Sequence, residues 1–307
     1  MIVTVTMNPS LDMAYALPHL VIDDVNRVAR VEKTAGGKGL NVTRVLHQLN
    51  RDVLATGLIG GNIGNYLTDQ LDAAKIAHAF YPINNETRHS IAILHETGYQ
   101  TELLEAGPEI TETEAQEFFK HFQTLAKKAE VLTMSGSLPK GLAVDFYQQL
   151  IQAQPEIPVL LDTSGKSLAA CLEGTHKPFL IKPNLSELQD LFGRSVTLAD
   201  LKAALTNERF SGIEWIVVSL GSDGAVAKHR DVFYRVTIPK IAVVNPVGSG
   251  DATLAGLASA VAQQLTDEEL LKTGMTAGML NAQESKTGWI NVQNFALLYE
   301  QIKVECF

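Results

Sequence analysis

The sequence predicts an α/β fold: a mostly parallel central sheet covered by helices on both faces, carrying a small β-sheet lid. Three observations support that expectation. From Thr111 onward, short apolar strands alternate with amphipathic helices, and the strands end in small or polar residues. Two stretches, about 11–34 and 88–104, break this rhythm by alternating apolar and polar residues with no helix between, as half-exposed strands do. The 307 residues are 46% hydrophobic and contain no linker-like segment, so one domain over 1–307 with a discontinuous lid is expected.

In chain order, Ile2 to Thr6 is a buried first strand that stops at Asn8-Pro9. Asp12 to Leu17 and Val28 to Glu32 alternate, and so do Arg88 to His95 and Gln100 to Leu104 around a hairpin turn at Glu96-Thr97-Gly98-Tyr99. Between these pairs, Ala35-Gly36-Gly37-Lys38-Gly39-Leu40-Asn41 opens an amphipathic helix with Leu40, Val42, Val45, Leu46 and Leu49. The cluster fails the P-loop pattern: Gly39 follows Lys38 where serine or threonine is required, and Glu32 stands at the first glycine position. Its backbone N–H groups, Lys38 and Asn41 can still hold an anionic or polyhydroxylated ligand. Gly57 to Gly64 lacks the Gly-x-Gly core of a dinucleotide fingerprint and reads as a turn.

The regular half begins with a helix from Thr111 to Lys128, opened by the capping box Thr111-Glu112-Thr113-Glu114. Strand Val131 to Met134 ends in Ser135-Gly136-Ser137 and is followed by a helix near Ala143 to Gln152. Strand Val159 to Leu161 ends at Asp162-Thr163-Ser164, with a helix after Ser167. Strand Phe179 to Ile181 ends at Lys182-Pro183-Asn184, and strand Trp215 to Ser219 at Leu220-Gly221-Ser222-Asp223-Gly224. Ligands collect at the carboxyl ends of such strands, where Asp162, Lys182, Asn184, Ser219, Gly221 and Gly250 fall.

Val243-Val244 reads as the end of a strand, broken by Asn245-Pro246. Gly248-Ser249-Gly250 then opens a helix carrying small residues at Ala252, Ala255, Gly256 and Ala260. Glycines that admit close approach, free N–H groups and the positive end of a helix make an anion hole. Asp251, in its first turn, can take a proton from an attacking hydroxyl, a pairing suited to phosphoryl transfer.

A formal charge of −9 argues against a nucleic-acid partner. Cys171 and Cys306 lie far apart without metal-ligand spacing. The N-terminus has no signal-peptide pattern and no later run approaches membrane-spanning length, so no membrane association and a cytoplasmic protein are expected.

Gly36-Gly37-Lys38-Gly39-Leu40-Asn41, Asn245-Pro246-Val247-Gly248-Ser249-Gly250-Asp251 and the Asn-x-x-Glu element Asn184-Leu185-Ser186-Glu187 together resemble the PfkB, or ribokinase-like, sugar kinases. The resemblance covers the whole chain and implies a three-layer ribokinase-like sandwich that phosphorylates a sugar hydroxyl with ATP. By that resemblance Asp251 is the general base and Gly248, Ser249 and Gly250 form the anion hole, with Ser249 standing where the family usually has alanine. Asn184 and Glu187 would organise Mg2+ through water, and Lys182, Ser219, Gly221, Ser222, Gly224 and Asn281 would border the nucleotide. Asp12, Gly37, Lys38, Asn41, Ser90 and Ser137 would hold the sugar. Monovalent-cation activation occurs among relatives.

Within the family the chain is most similar to the phosphosugar branch, especially tagatose-6-phosphate kinases of the lactose route. The similarity lies in Lys33 to Arg44, Glu86 to Leu94 and Asn281-Ala282-Gln283-Glu284. This implies attack by the 1-hydroxyl of D-tagatose 6-phosphate, with Arg88 and Lys38 holding the phosphate and Arg27 joining from a neighbouring subunit of a homodimer paired through the lid. 1-Phosphofructokinase and 6-phosphofructokinase remain open, since spacing cannot resolve the C4 stereocentre. A sugar-phosphate sensor without turnover is the reading from another class.

Overall fold

The computed structural model describes residues 1–96 and 98–307; Thr97, in the expected lid turn, lies outside the described residues. Strand β1 (Ile2–Thr6) runs into β2 (Ser10–Ala16), and β3 (Val31–Gly36) runs into helix α1 (Lys38–Gln48). Next come β4 (Val53–Gly60), α2 (Gly61–Ala73), β5 (Ala77–His78), β6 (Tyr81–Ile83), β7 (Arg88–His95) and β8 (Tyr99–Leu104). The middle of the chain supplies α3 (Glu112–Ala126), β9 (Val131–Ser135), α4 (Phe146–Gln152), β10 (Val159–Asp162), α5 (Gly165–Glu173), β11 (Leu180–Ile181), α6 (Leu185–Phe192) and α7 (Leu201–Leu205). It ends with β12 (Trp215–Ser219), β13 (Ala225–His229), β14 (Val232–Thr237), α8 (Ser249–Ala262), α9 (Asp267–Ala282), α10 (Phe295–Tyr299) and β15 (Lys303–Cys306).

The large sheet has the order β15-β14-β13-β12-β11-β10-β9-β1-β4-β5, with β6 also on β4. It is parallel from β5 to β12 and antiparallel from β12 to β15. Burial on both faces explains the unbroken apolar strands. One face packs Val3, Val5, Leu132 and Met134 under Phe118, Phe122, Tyr147 and Leu150; the other packs Ile2, Val131 and Trp215 under Val42, Val45, Leu254 and Leu257. The α/β fold and the separate small sheet are as expected.

Two expectations need correction. The antiparallel extension β13–β15 was not anticipated, although Ala225 to Thr237 alternates around Arg230-Asp231, whose Arg230 takes a positive φ of 51°. Val243-Val244 is not a strand. Both valines are exposed coil, and the N–H groups of Val244 and Asn245 bond to the Ala282 carbonyl at the end of α9. Among the described residues no strand pairs with them.

Small residues on α8 serve a crossing with α9. A Cβ on Gly256 would lie 2.6 Å from the Thr273 carbonyl oxygen, and one on Gly278 would lie 2.2 Å from Thr253 Oγ1. The lid is a four-stranded sheet, β3-β2-β7-β8, in which β2 and β7 run parallel. Leu11 and Ala35 seat it on Leu40, Leu67 and Leu71, whereas every residue of β8 is exposed.

Candidate active site

The carboxyl ends of β10 to β12 and the N-terminus of α8 enclose a cleft of about 780 Å³. A smaller cavity of about 220 Å³ adjoins it, lined by Thr6, Asn8, Arg88, Ser135, Ser137 and Thr163 among others. Lys38 lines both.

At the head of α8, Gly248 adopts a left-handed conformation (φ 81°), and a Cβ there would come within 2.4 Å of Thr287 Cγ2. The Asn245 side chain accepts the Val247 N–H at 3.0 Å and the Pro246 carbonyl accepts the Ser249 N–H at 3.2 Å. Among the described residues this leaves the N–H groups of Gly250 and Asp251 without backbone partners, at the positive end of a 14-residue helix. Asp251 is only 6% exposed, and its Oδ2 accepts from Asn41 Nδ2 at 2.7 Å. Burial, followed by the nearby Asp162 carboxylate, pushes the Asp251 carboxyl up to about 6 against the pull of Lys38, Asn41 and Lys182. A carboxylate poised there is basic enough to receive a hydroxyl proton near neutral pH.

Beside it lies a buried charge cluster. Lys182 Nζ stands 3.2 Å and Lys38 Nζ 3.5 Å from the two oxygens of Asp162, and Lys38 Nζ is 3.9 Å from Glu187. Burial alone would raise Asp162, but the two ammonium groups outweigh it and hold the carboxyl below the usual range. Asp162, then Asp251 and Glu187, conversely raises Lys38, a half-exposed side chain, above the ordinary lysine value against partial desolvation. Asn184 and Glu187 form a reciprocal capping box on α6, each accepting the other's N–H at 2.9 Å, which commits one oxygen of each. Among the described residues no cluster of three His, Cys, Asp or Glu could hold a metal by itself. The donor set suits a hydrated magnesium ion that arrives with phosphate oxygens.

At the smaller cavity, Arg88 donates from Nε to the Asn8 carbonyl at 3.3 Å and from Nη1 to the Glu105 carbonyl at 3.1 Å. Thr6 Oγ1, Asn8 Oδ1 and Ser135 Oγ are buried there without protein partners, as expected of a cavity built for a polar ligand. Asp12 accepts from Ser10 Oγ at 2.6 Å and occupies the space above Gly36, where a Cβ would overlap its carboxylate. Burial raises Asp12, opposed by Ser10, Arg44 and Arg88.

Of the residues singled out from sequence, Gly248, Ser249, Gly250, Asp251, Lys182, Asn184, Glu187, Ser219, Gly221, Ser222 and Gly224 line the large cleft, and Arg88 and Ser137 line the small cavity. Ser90 pairs in register with Asp12 on the lid, and Gly37 caps α1 with φ 101°. Asp12, Gly37, Asn41 and Ser90 line neither cavity, and two further residues fall farther from the predicted roles. Arg27 is exposed on the loop between β2 and β3, outside both cavities. Asn281 is buried behind the cleft wall, where its amide donates to the Val247 carbonyl at 2.9 Å and accepts the Gly288 N–H at 2.8 Å. Sequence reasoning missed the apolar wall formed by Ile238, Pro239, Ile241, Val243, Met275 and Met279. Its signal was the apolar run read as a strand. Arg44 was also missed, although it lies one turn beyond Asn41 on the same helix.

A family model described as pfkB family carbohydrate kinase matches residues 6–292. Escherichia coli phosphofructokinase-2 is similar at 28% identity, with 97% of this chain and 98% of that one covered and a TM-score of 0.91. A Staphylococcus aureus protein provisionally described as a phosphofructokinase is 29% identical, with 100% and 99% covered and a TM-score of 0.85. A Thermotoga maritima protein described as a possible 1-phosphofructokinase shares the fold at 23% identity, with 100% and 99% covered and a TM-score of 0.90.

Proposed function

This chain belongs to the pfkB family of carbohydrate kinases, and from that premise we propose that it transfers the terminal phosphoryl group of ATP to the 1-hydroxyl of D-tagatose 6-phosphate, giving the 1,6-bisphosphate. A carbohydrate kinase is a phosphotransferase with an alcohol acceptor; the acceptor's identity is the proposal. The observation that carries it is the seam between the two cavities, where Lys38 lines both and Asp251 stands buried at the head of α8.

In this reading the nucleotide lies along the large cleft, its base against the apolar wall and its phosphates over Gly248 to Asp251. Gly250 and Asp251 N–H groups receive the negative charge on the moving phosphoryl group, and Lys182 reinforces them from below; a Cβ on Gly250 would stand 3.3 Å from its Nζ. The acceptor lies under the lid with its own phosphate beside Arg88, Ser137 and Lys38. Asp12, Ser90 and Asn41 orient its hydroxyls. Asp251 takes the 1-hydroxyl proton as the oxygen attacks, and Lys38 offsets charge on both substrates. Glu187, with Asn184 alongside, would hold a magnesium ion through water, and that ion would supply positive charge to offset the nucleotide phosphates. A monovalent cation is proposed because E. coli phosphofructokinase-2 has been solved in complex with potassium; replacing KCl by tetramethylammonium chloride measures the dependence.

Fructose 6-phosphate is the second reading, favoured because E. coli phosphofructokinase-2 has been solved with that sugar at 27% identity to this chain. Pairing of two chains through the lid is proposed from the exposed Tyr99, Leu103 and Leu104 of β8. It would give Arg27 access to a partner's site.

The test is ADP release with tagatose 6-phosphate, fructose 6-phosphate, fructose 1-phosphate and unphosphorylated sugars at matched concentrations. The highest kcat/KM with tagatose 6-phosphate is expected. Preference for fructose 1-phosphate would overturn the placement of the acceptor phosphate, and no turnover with any would favour a sensor.

A further inference from the structure

We propose that Arg44 is a positioning residue for phosphoryl transfer: through Asn41 it fixes which oxygen of Asp251 meets the acceptor hydroxyl, and through the Ala35 carbonyl it ties that arrangement to the root of the lid. The proposal rests on Asp251 as the base.

Arg44 is buried on α1, yet among the described residues no carboxylate lies within 4.0 Å of its guanidinium. The Asp12 and Asp251 carboxylates act on it only from beyond ion-pair distance, so its direct acceptors show what it holds. One nitrogen donates to the Ala35 carbonyl on β3. The other donates to Asn41 Oδ1 and, at 3.3 Å, to the Thr287 carbonyl.

An asparagine amide could face Asp251 with either its oxygen or its nitrogen. Arg44 has only donors, so it claims the oxygen and turns Nδ2 toward Asp251. The Asn41 amide then donates to Asp251 Oδ2 at 2.7 Å, leaving Oδ1 to receive a proton.

The turn after α9 is shaped around this group. Gly288 has φ +70°, and a Cβ there would lie 2.9 Å from Arg44 Nη2 and 3.0 Å from the Asn41 Cα. Gln48, one helical turn beyond Arg44, clamps the same segment, donating to the Gly288 carbonyl at 3.0 Å and accepting the Ile290 N–H at 2.9 Å. The charged groups around Asp251 are Lys38 and Arg44 on α1, Asp162 at the end of β10 and Lys182 after β11. Only Arg44 reaches Asp251 through an amide that must be oriented.

The test is a double-variant cycle of Arg44→Lys, Asn41→Ala and their combination, with full pH profiles. Arg44→Lys keeps a charge but loses the planar fork. It is expected to lower kcat by roughly 10- to 50-fold, leave the nucleotide KM within about twofold, and move the acidic limb up by about half a pH unit or more. In the Asn41→Ala background the same change should cost less than about twofold, because both act on one oxygen. Multiplicative costs, or an acidic limb that stays in place, would overturn the proposal. Should Arg44→Lys not fold, Gly288→Ala displaces the guanidinium without deleting it; the limb must move there too, and an unmoved limb overturns the proposal. Near-normal turnover by Asp251→Asn would sink the base reading itself, whereas an inert Asp251→Asn with multiplicative costs in the cycle sinks only the role of Arg44.

Discussion

The head of α8 and the lid carry the two halves of the proposed site, and they are built by opposite means. Asp251, Asp162 and Lys182 are almost wholly buried, with hydrogen-bond and ion-pair partners supplied by α1, β10 and the segment after β11. The lid rests on the protein through Leu11 and Ala35 at one end of its sheet, and its outer strand leaves Leu103 54% and Leu104 60% exposed. The contrast teaches a division of labour. The groups proposed to hold a pKa and an orientation sit where surrounding structure over-determines them, whereas those proposed to select the acceptor ride on an element with few anchors.

That division can be broken first at Asp251. Asp251→Asn is expected to lower kcat by about 10³-fold or more with nucleotide affinity changed less than about threefold, measured by steady-state kinetics and titration calorimetry. A loss confined to nucleotide binding would erase the distinction between the two regions. Arg88→Ala, on the lid, should instead raise the KM for the phosphorylated acceptor by roughly 10- to 100-fold and leave unphosphorylated sugars little affected. An unchanged KM would move the acceptor phosphate off the lid. Glu187→Gln should raise the magnesium concentration for half-maximal rate by about threefold to tenfold, since a hydrated ion loses one of few anionic partners. An unaltered requirement would reduce Glu187 to its capping role.

The smallest effect is on stability. Asp251 has a pKa raised to about 6 in the folded chain, so between the ordinary carboxylate range and 6 the folded state holds more protons than the unfolded one. Stability therefore falls as pH rises through that window, and the whole penalty, on the order of 3 kcal/mol, is present above it. Asp251→Asn should melt several degrees higher than the parent at pH 8 and close to it near pH 4. Equal melting temperatures at both would show that burial there carries no cost. Activity is expected to show the opposite dependence, rising with pH through about 6 as the proposed base becomes ionised.

The parallel sheet was legible because strands buried on both faces are short, uncharged and rich in apolar and β-branched residues, as Ile2 to Thr6 and Trp215 to Ser219 are. The two glycine turns were legible because only glycine tolerates φ 101° at Gly37 and 81° at Gly248. Val243-Val244 misled because β-branched residues lining a cleft and those in a buried strand have the same local pattern; only the tertiary partner differs. Arg44 went unread for a related reason. Its acceptors are the Ala35 and Thr287 carbonyls and an amide oxygen, and backbone carbonyls have no sequence identity. Asn281 shows the reverse: a polar residue near a recognisable motif that braces the turns behind the cleft wall.

The parallel pairing of β2 with β7 has a consequence for assembly of the chain. Ser10 stands opposite Arg88, so the centre of the lid joins segments separated by α1, β4 and α2. The lid therefore cannot form as an autonomous hairpin ahead of the core; loop-closure entropy makes it a late event in refolding. A protease nicking the exposed 17–30 loop would not release it either. Each fragment would keep a lid strand continuous with the core, β2 with β1 on one side of the cut and β3 with α1 on the other.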